Sequence, residues 1–149
     1  MSIKDDITAK LKTAMLARDE FLTGVLRDLR SAILNEEINQ VKRDEGLSDE
    51  EIEKVIAKQV KQRDDSIEIY TAAGDQARAD KEMAERKVLA SFLPEPLSED
   101  ELQEVVKKII SSGDFTVKEM GRVIGEIKKE VGTRGDGALI AKLVKESLQ

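Results

Sequence analysis

The stretch from Lys128 to Ile140 carries the residue types that most readily contact an anion. Its glycines allow the backbone to approach a ligand closely, and a helix beginning there would offer free N–H groups and the positive end of its dipole. Charge-assisted contacts to phosphate need cations near such donors. The cations in or beside this stretch are Lys128, Lys129, Arg134 and Lys142. The pattern could hold a phosphate, although it is neither a Walker nor a Rossmann signature.

The same residues also form an ordinary connection between two helices. Gly132 stands where a C-cap glycine belongs, and Gly135 and Gly137 would make the turn. Asp136 would then cap the last helix and occupy the N-terminus that an anion would otherwise use. Spacing alone favours this second interpretation, and neither of the two implies catalysis.

Other groups with chemical potential are weaker candidates. Lys61 to Ser66 contains the paired carboxylates Asp64 and Asp65, but adjacent side chains on a helix diverge, so a solvated face with salt bridges is favoured over a metal site. The serines and Lys87 lack a neighbouring base that would activate them. Because the 149 residues include no histidine and no cysteine, most familiar catalytic and metal-binding constellations are excluded. No cofactor is expected.

Composition and charge restrict the class of protein further. The chain is 40% apolar and 38% charged with 3% aromatic residues, which suits helices packed through Leu, Ile, Val, Ala and Met. No apolar run is long enough to cross a membrane, and the first residues lack the apolar segment of a signal peptide, so we expect a cytoplasmic protein. A net charge of −6 argues against a generic nucleic-acid coat. The acidity lies mostly in the N-terminal part, whereas residues 118–149 hold seven Lys and Arg against five Asp and Glu.

The two prolines, Pro94 and Pro96, mark a boundary because proline interrupts helical geometry. We therefore predict an all-α protein with an N-terminal helical module over residues 1–93, a proline linker over 94–97 and a C-terminal module over 98–149. Apolar spacing predicts a helix over Ile3 to Leu16, and a long helix whose buried stripe runs from Leu22 through Ile38 to Val41, with Gly46 ending that element.

Local signals define the remaining helices. Ser48 with Glu51 forms a capping box before a second long helix, and Asp75 caps a run to Phe92. These lengths suggest long antiparallel helices. Three short helices are expected after the linker. Their starts are Ser98 with Glu101, Thr116 with Glu119, and Asp136.

Several segments, taken in order, resemble the GatB/YqeY family. Residues 92–102 (FLPEPLSEDEL) are similar to the linker of free-standing YqeY proteins, and residues 120–125 (MGRVIG) and 135–140 (GDGALI) to their C-terminal bundle. The N-terminal segments 25–36 and 61–66 also resemble that family. The similarity extends over nearly the whole chain.

The resemblance implies a C-terminal three-helix module similar to the tail of the GatB subunit of the Glu-tRNA/Asp-tRNA amidotransferase. In that enzyme the tail recognises tRNA, while the chemistry lies elsewhere; the family label is carbon–nitrogen ligase activity with glutamine as amido-nitrogen donor. By this resemblance, the candidates for contact with the RNA backbone are Lys128, Lys129, Arg134, Gly135 and Lys142.

These observations predict a tRNA-binding or adaptor module related to the amidotransferases and noncatalytic alone. Its net acidity implies tRNA binding that is weak or assisted by a partner, such as an amidotransferase subunit or another protein. The alternative is a protein–protein interaction module, in which the long N-terminal helices present a face to a partner and no RNA is bound.

Overall fold

A computed structural model describes residues 2–149, and within that range the protein is built from α-helices and short 3-10 turns, without a strand. The all-α prediction is confirmed. None of the helices in these residues is both long and apolar enough to cross a bilayer. The helices are α1 (Ile3–Leu16), α2 (Glu20–Asn39), α3 (Asp49–Ala72), α4 (Gln76–Ala90), α5 (Glu99–Ser111), α6 (Met120–Val131) and α7 (Gly137–Leu148).

The chain divides into two compact units, which we call the N-terminal unit (residues up to Leu93) and the C-terminal unit (Pro94–Gln149). In the N-terminal unit, α1 and α2 pack together, and α3 and α4 pack along each other. Its core is formed by residues at three- and four-residue spacing, as expected for helices that bury one face. The fully buried members with large side chains are Ile7, Leu26, Leu29, Ile33, Ile52, Ile56 and Leu89.

Ion pairs between neighbouring helices supplement the apolar contacts of this core. Glu37 is 2% exposed, and its Oε1 accepts a hydrogen bond from Lys4 Nζ of α1 at 2.8 Å. On the α3–α4 pair, Arg63 contacts Glu82 at 3.0 Å and Glu85 at 2.7 Å. Charged side chains therefore connect consecutive helices, and the burial of Glu37 makes its lysine partner necessary.

The start of α3 follows the predicted capping box. Ser48 Oγ accepts a hydrogen bond from Glu51 N, and the Glu51 carboxylate accepts one from Ser48 N. Lys42 also donates to Glu51 Oε2 at 3.0 Å. These contacts, led by the one from Lys42, hold the pKa of Glu51 below its ordinary value because they stabilise the carboxylate.

The end of α2 differs from the prediction. The helix stops at Asn39, seven residues before Gly46, and the stripe expected to stay buried through Ile38 and Val41 is exposed there. Val41 has a φ of 55° and is 90% exposed. Its N–H donates to Ile38 O and the next N–H donates to Glu37 O, which is the Schellman arrangement with valine at the position that glycine usually takes.

The C-terminal unit packs α5, α6 and α7 around a continuous apolar core. The predicted capping boxes at Ser98 and Thr116 are both present. Thr116 opens a 3-10 turn that leads into α6, and its hydroxyl and N–H each donate to Glu119 at 2.6 Å, which lowers the pKa of Glu119. The buried residues of this core are Leu102, Val106, Ile109, Val123, Ile127, Val131, Ile140, Leu143 and Val144.

Candidate nucleic-acid interface

The connection between α6 and α7 contains two of the five residues predicted to contact RNA, Arg134 and Gly135. After Val131 the chain makes a 3-10 turn over Gly132–Arg134 and then enters α7 at Gly137. Gly132 has a φ of 58° and a ψ of −136°, a conformation that only glycine adopts readily. The expectation that Gly132 ends this helix is confirmed.

Gly135 is required by packing. A Cβ placed on it would lie 2.6 Å from Val131 Cγ2 and 3.1 Å from Ile140 Cδ1, although its φ of −115° is open to any residue. The missing side chain thus allows the backbone of the turn to rest on the apolar core. This contact accounts for the glycine without a ligand.

The first turn of α7 is capped by the protein itself. Asp136 Oδ1 accepts a hydrogen bond from Ala138 N at 3.2 Å, as the sequence predicted. A carboxylate therefore occupies the positive end of this helix, where a phosphate would otherwise bind. Contact with a nucleic acid at this end consequently depends on the surrounding cations.

Arg134 forms hydrogen bonds that connect the first residues of the C-terminal unit to this turn. Its Nε donates to Glu95 O at 2.9 Å, and its own carbonyl accepts a hydrogen bond from Leu97 N at 2.8 Å. The proline segment is thus held on both sides of Pro96, which has no N–H of its own. The guanidinium is exposed and keeps further donors, but one of its hydrogen bonds already has a structural use.

The three candidate lysines are exposed and occupy different faces. Lys128 and Lys129 lie in the last turn of α6, and the end of the Lys128 side chain extends over Gly137. Lys142 is on α7, where residues 140, 143 and 144 face the core, so helical geometry directs it away from the core. The structure brings Lys128 and Arg134 to the turn at Gly137 and places Lys142 outside it. Within residues 2–149, none of the three lysines forms an ion pair.

Lys145 is a further cation that sequence reasoning missed. It lies in the last turn of α7, is exposed, and follows Lys142 by three residues, which puts the two on adjacent positions of the helix surface. This three-residue spacing was the signal in the sequence that could have identified Lys145. Two other cations of this unit have carboxylate partners, since Lys108 contacts Glu130 at 3.3 Å and Arg122 contacts Glu126 at 3.6 Å.

The paired carboxylates on α3 have the expected structural role. Asp64 forms an ion pair with Arg86, while the neighbouring Arg63 contacts α4. Nowhere in the part of the chain that the structure describes do three acidic residues come together as a group able to hold a metal ion. The ion pairs of Asp64 and Arg63 confirm the prediction of a face with salt bridges.

Comparison with known proteins gives one family match. A family model described as Yqey-like protein matches residues 4–148, which is almost the full chain. No curated protein matches the sequence.

Proposed function

Because this chain belongs to the YqeY-like family, we propose that it is a noncatalytic tRNA-binding or adaptor module that works with glutamine-dependent tRNA amidotransferases. The resemblance of its C-terminal residues to the tail of the GatB subunit supports this role. The absence of histidine and cysteine from the sequence supports an accessory role rather than a catalytic one.

The observation that carries the RNA contact is the set of exposed lysines on the C-terminal unit. Lys128, Lys129 and Lys142 form no ion pair within residues 2–149, so their charges are available to phosphates. They lie on different faces, which fits an extended polyanion better than one small anion. Because the whole chain has a net charge of −6, the contact should be weak and strongly dependent on salt.

The test is a titration of the full-length protein against deacylated tRNA at several salt concentrations. The informative variant changes Lys128, Lys129 and Lys142 to Glu and leaves Arg134 and Gly135 in place, because those two residues also support the fold. We expect its affinity for tRNA to fall about tenfold or more at low salt. The slope of the logarithm of the binding constant against the logarithm of the salt concentration should decrease by the equivalent of about two to three phosphate contacts.

The matched control changes three exposed lysines of α3 to Glu. Lys54, Lys58 and Lys61 form no ion pair in the described residues, and their reversal produces the same net charge as the test variant. The control should keep most of the affinity. Equal losses in both variants would mean that only total charge matters and that the proposed surface is wrong.

The alternative function, a protein–protein interaction module, is favoured by one observation. Leu34 and Ile38 are exposed and lie four residues apart on one face of α2, and the exposed Val41 follows directly after the helix end. Failure of the wild-type protein to bind tRNA even at low salt would favour this alternative over the RNA role.

A further inference from the structure

An open pocket of about 340 Å³ lies in the N-terminal unit between α1, α2 and α4. Its walls are apolar and are formed by Leu22, Leu26, Val88 and Phe92. Leu26 and Phe92 are buried members of the core, so the pocket floor is continuous with the packed interior. Its volume falls in the range of pockets that accept small molecules.

The charged residues that line this pocket are both lysines, Lys10 and Lys87. Ser91 also lines it, but the Ser91 hydroxyl donates to Val88 O and is thereby satisfied. The pocket therefore has an apolar interior bordered by two lysine side chains, with no carboxylate among its lining residues. This combination is complementary to a molecule with a hydrocarbon body and one anionic end.

Two other pockets of the same unit each contain a carboxylate and a further cation, Arg30 in the first and Lys87, which also lines the α1–α2–α4 pocket, in the second. One contains Lys4 and Glu37, which form the buried ion pair, and another contains Asp64 and Arg86, which also pair with each other. The α1–α2–α4 pocket differs from both because no carboxylate lines it that would repel an anion. Lys87 is exposed and has no ion pair in the described residues.

Lys10 already makes two contacts that an anionic ligand would leave intact or replace at small cost. Its Nζ lies 4.7 Å from the centroid of the Phe92 ring, at the edge of the apolar wall. It also contacts Asp6 at 3.2 Å, but both side chains of that pair are about half exposed. Exposed pairs of this kind contribute little, so Lys10 can turn to a carboxylate in the pocket.

We propose that this pocket binds a free medium-chain fatty acid. The hydrocarbon chain lies against Leu22, Leu26, Val88 and Phe92, and the carboxylate contacts the ammonium groups of Lys10 and Lys87. The site is separate from the lysines of the C-terminal unit and does not depend on the proposed RNA contact.

The test compares decanoate with decanol in calorimetric titrations of the full-length protein, below the concentration at which decanoate forms micelles. The first variant replaces Lys10 and Lys87 with Met, which keeps the apolar stems and removes both charges. We expect its decanoate Kd to rise about tenfold while its decanol Kd changes little. The second variant, Ser91→Phe, fills the pocket from its exposed edge and should abolish the binding of both compounds.

Amide chemical shifts locate the site. Decanoate should move the signals of Leu22, Val88 and Ser91 and leave α6 and α7 unchanged. No decanoate binding, or an unchanged Kd in the Lys→Met variant, would overturn the proposal. Binding to vesicles of anionic phospholipid that Ser91→Phe does not weaken, with no binding of free decanoate, would assign the lysines to a lipid surface instead and would also overturn it.

Discussion

The two units of this protein use their charged residues differently. In the N-terminal unit, ion pairs connect separate helices, as between Lys4 and Glu37 or between Arg63 and Glu82. In the C-terminal unit, a tight apolar core holds three short helices, and the lysines at the end of α6 and on α7 remain unpaired in the described residues. The comparison teaches that ion pairs with a buried or half-buried carboxylate contribute to cohesion in the first unit, whereas the pairs of the second, such as Lys108 with Glu130, are exposed and its cohesion depends on the apolar core.

The Lys4–Glu37 pair allows the strongest test of this contrast. Lys4→Met leaves a carboxylate that is 2% exposed without its cation, which is far more costly than losing a surface pair. We expect the free energy of unfolding of the N-terminal unit to fall by about 2–3 kcal/mol. Chemical denaturation followed by circular dichroism, with amide exchange in α2, measures the change.

Two lysines serve as controls for that substitution. Lys12→Met removes an exposed lysine of α1 without an ion pair in the described residues, and Lys108→Met removes the exposed partner of Glu130 in the C-terminal unit. Each should change stability by less than about 0.5 kcal/mol. A similar loss in Lys4→Met and Lys108→Met would remove the distinction between the units.

Gly135 tests the other side of the comparison, the dependence of the C-terminal unit on close packing. Gly135→Ala places a methyl group 2.6 Å from Val131 Cγ2, so the turn or the core must shift. We expect a loss of about 1–3 kcal/mol, measured by thermal denaturation and by amide exchange in α6 and α7.

The matched control is Gly125→Ala in the middle of α6. A Cβ there meets nothing within 4 Å, and alanine is the better helix former, so this variant should gain up to about 1 kcal/mol. If both glycine variants were stabilised, the turn would be looser than the packing indicates, and Gly135 would become available for a role in RNA contact.

The sequence predicted best what depends on near neighbours. The capping boxes at Ser48 and Ser98 join residues three apart, so their types and spacing were sufficient. Glu37 was missed although it follows Ile33 by four residues on the buried face, because glutamate is ordinarily taken as a solvated residue. The cap by Asp136 was also local and was confirmed.

The candidate site could be predicted only in part. The cationic residue types near the α6–α7 turn were visible in the sequence. The use of Arg134 to hold the backbone at Glu95 was not, because that hydrogen bond joins residues 39 apart. The packing need for Gly135 was equally hidden, since it depends on how Val131 and Ile140 meet across the turn. Tertiary contacts therefore decide which of the predicted residues support the fold and which are available to bind a ligand.

The residues at the helix ends provide the smallest expected change in stability and test the same contrast between the two units. The two non-glycine residues with positive φ in the described chain, Arg18 and Val41, both lie in the N-terminal unit, whereas the C-terminal unit has Gly132 at its positive-φ position. Valine in this conformation is strained, and its 90% exposure means that packing does not compensate for the strain. The N-terminal unit thus tolerates local strain at an exposed apolar position.

Val41→Gly should raise the free energy of unfolding by about 0.5–1 kcal/mol, because relief of the strain exceeds the entropy that glycine adds to the unfolded chain. The reciprocal change is Gly74→Val at the end of α3, where glycine has a φ of 76° and the same Schellman hydrogen bonds; it should cost about 1 kcal/mol or more. Thermal denaturation measures both. Destabilisation by Val41→Gly would show that the valine side chain contributes to folding in a way its exposure does not explain. Stabilisation combined with loss of a protein partner would instead identify Val41 as part of a binding surface and favour the interaction-module alternative.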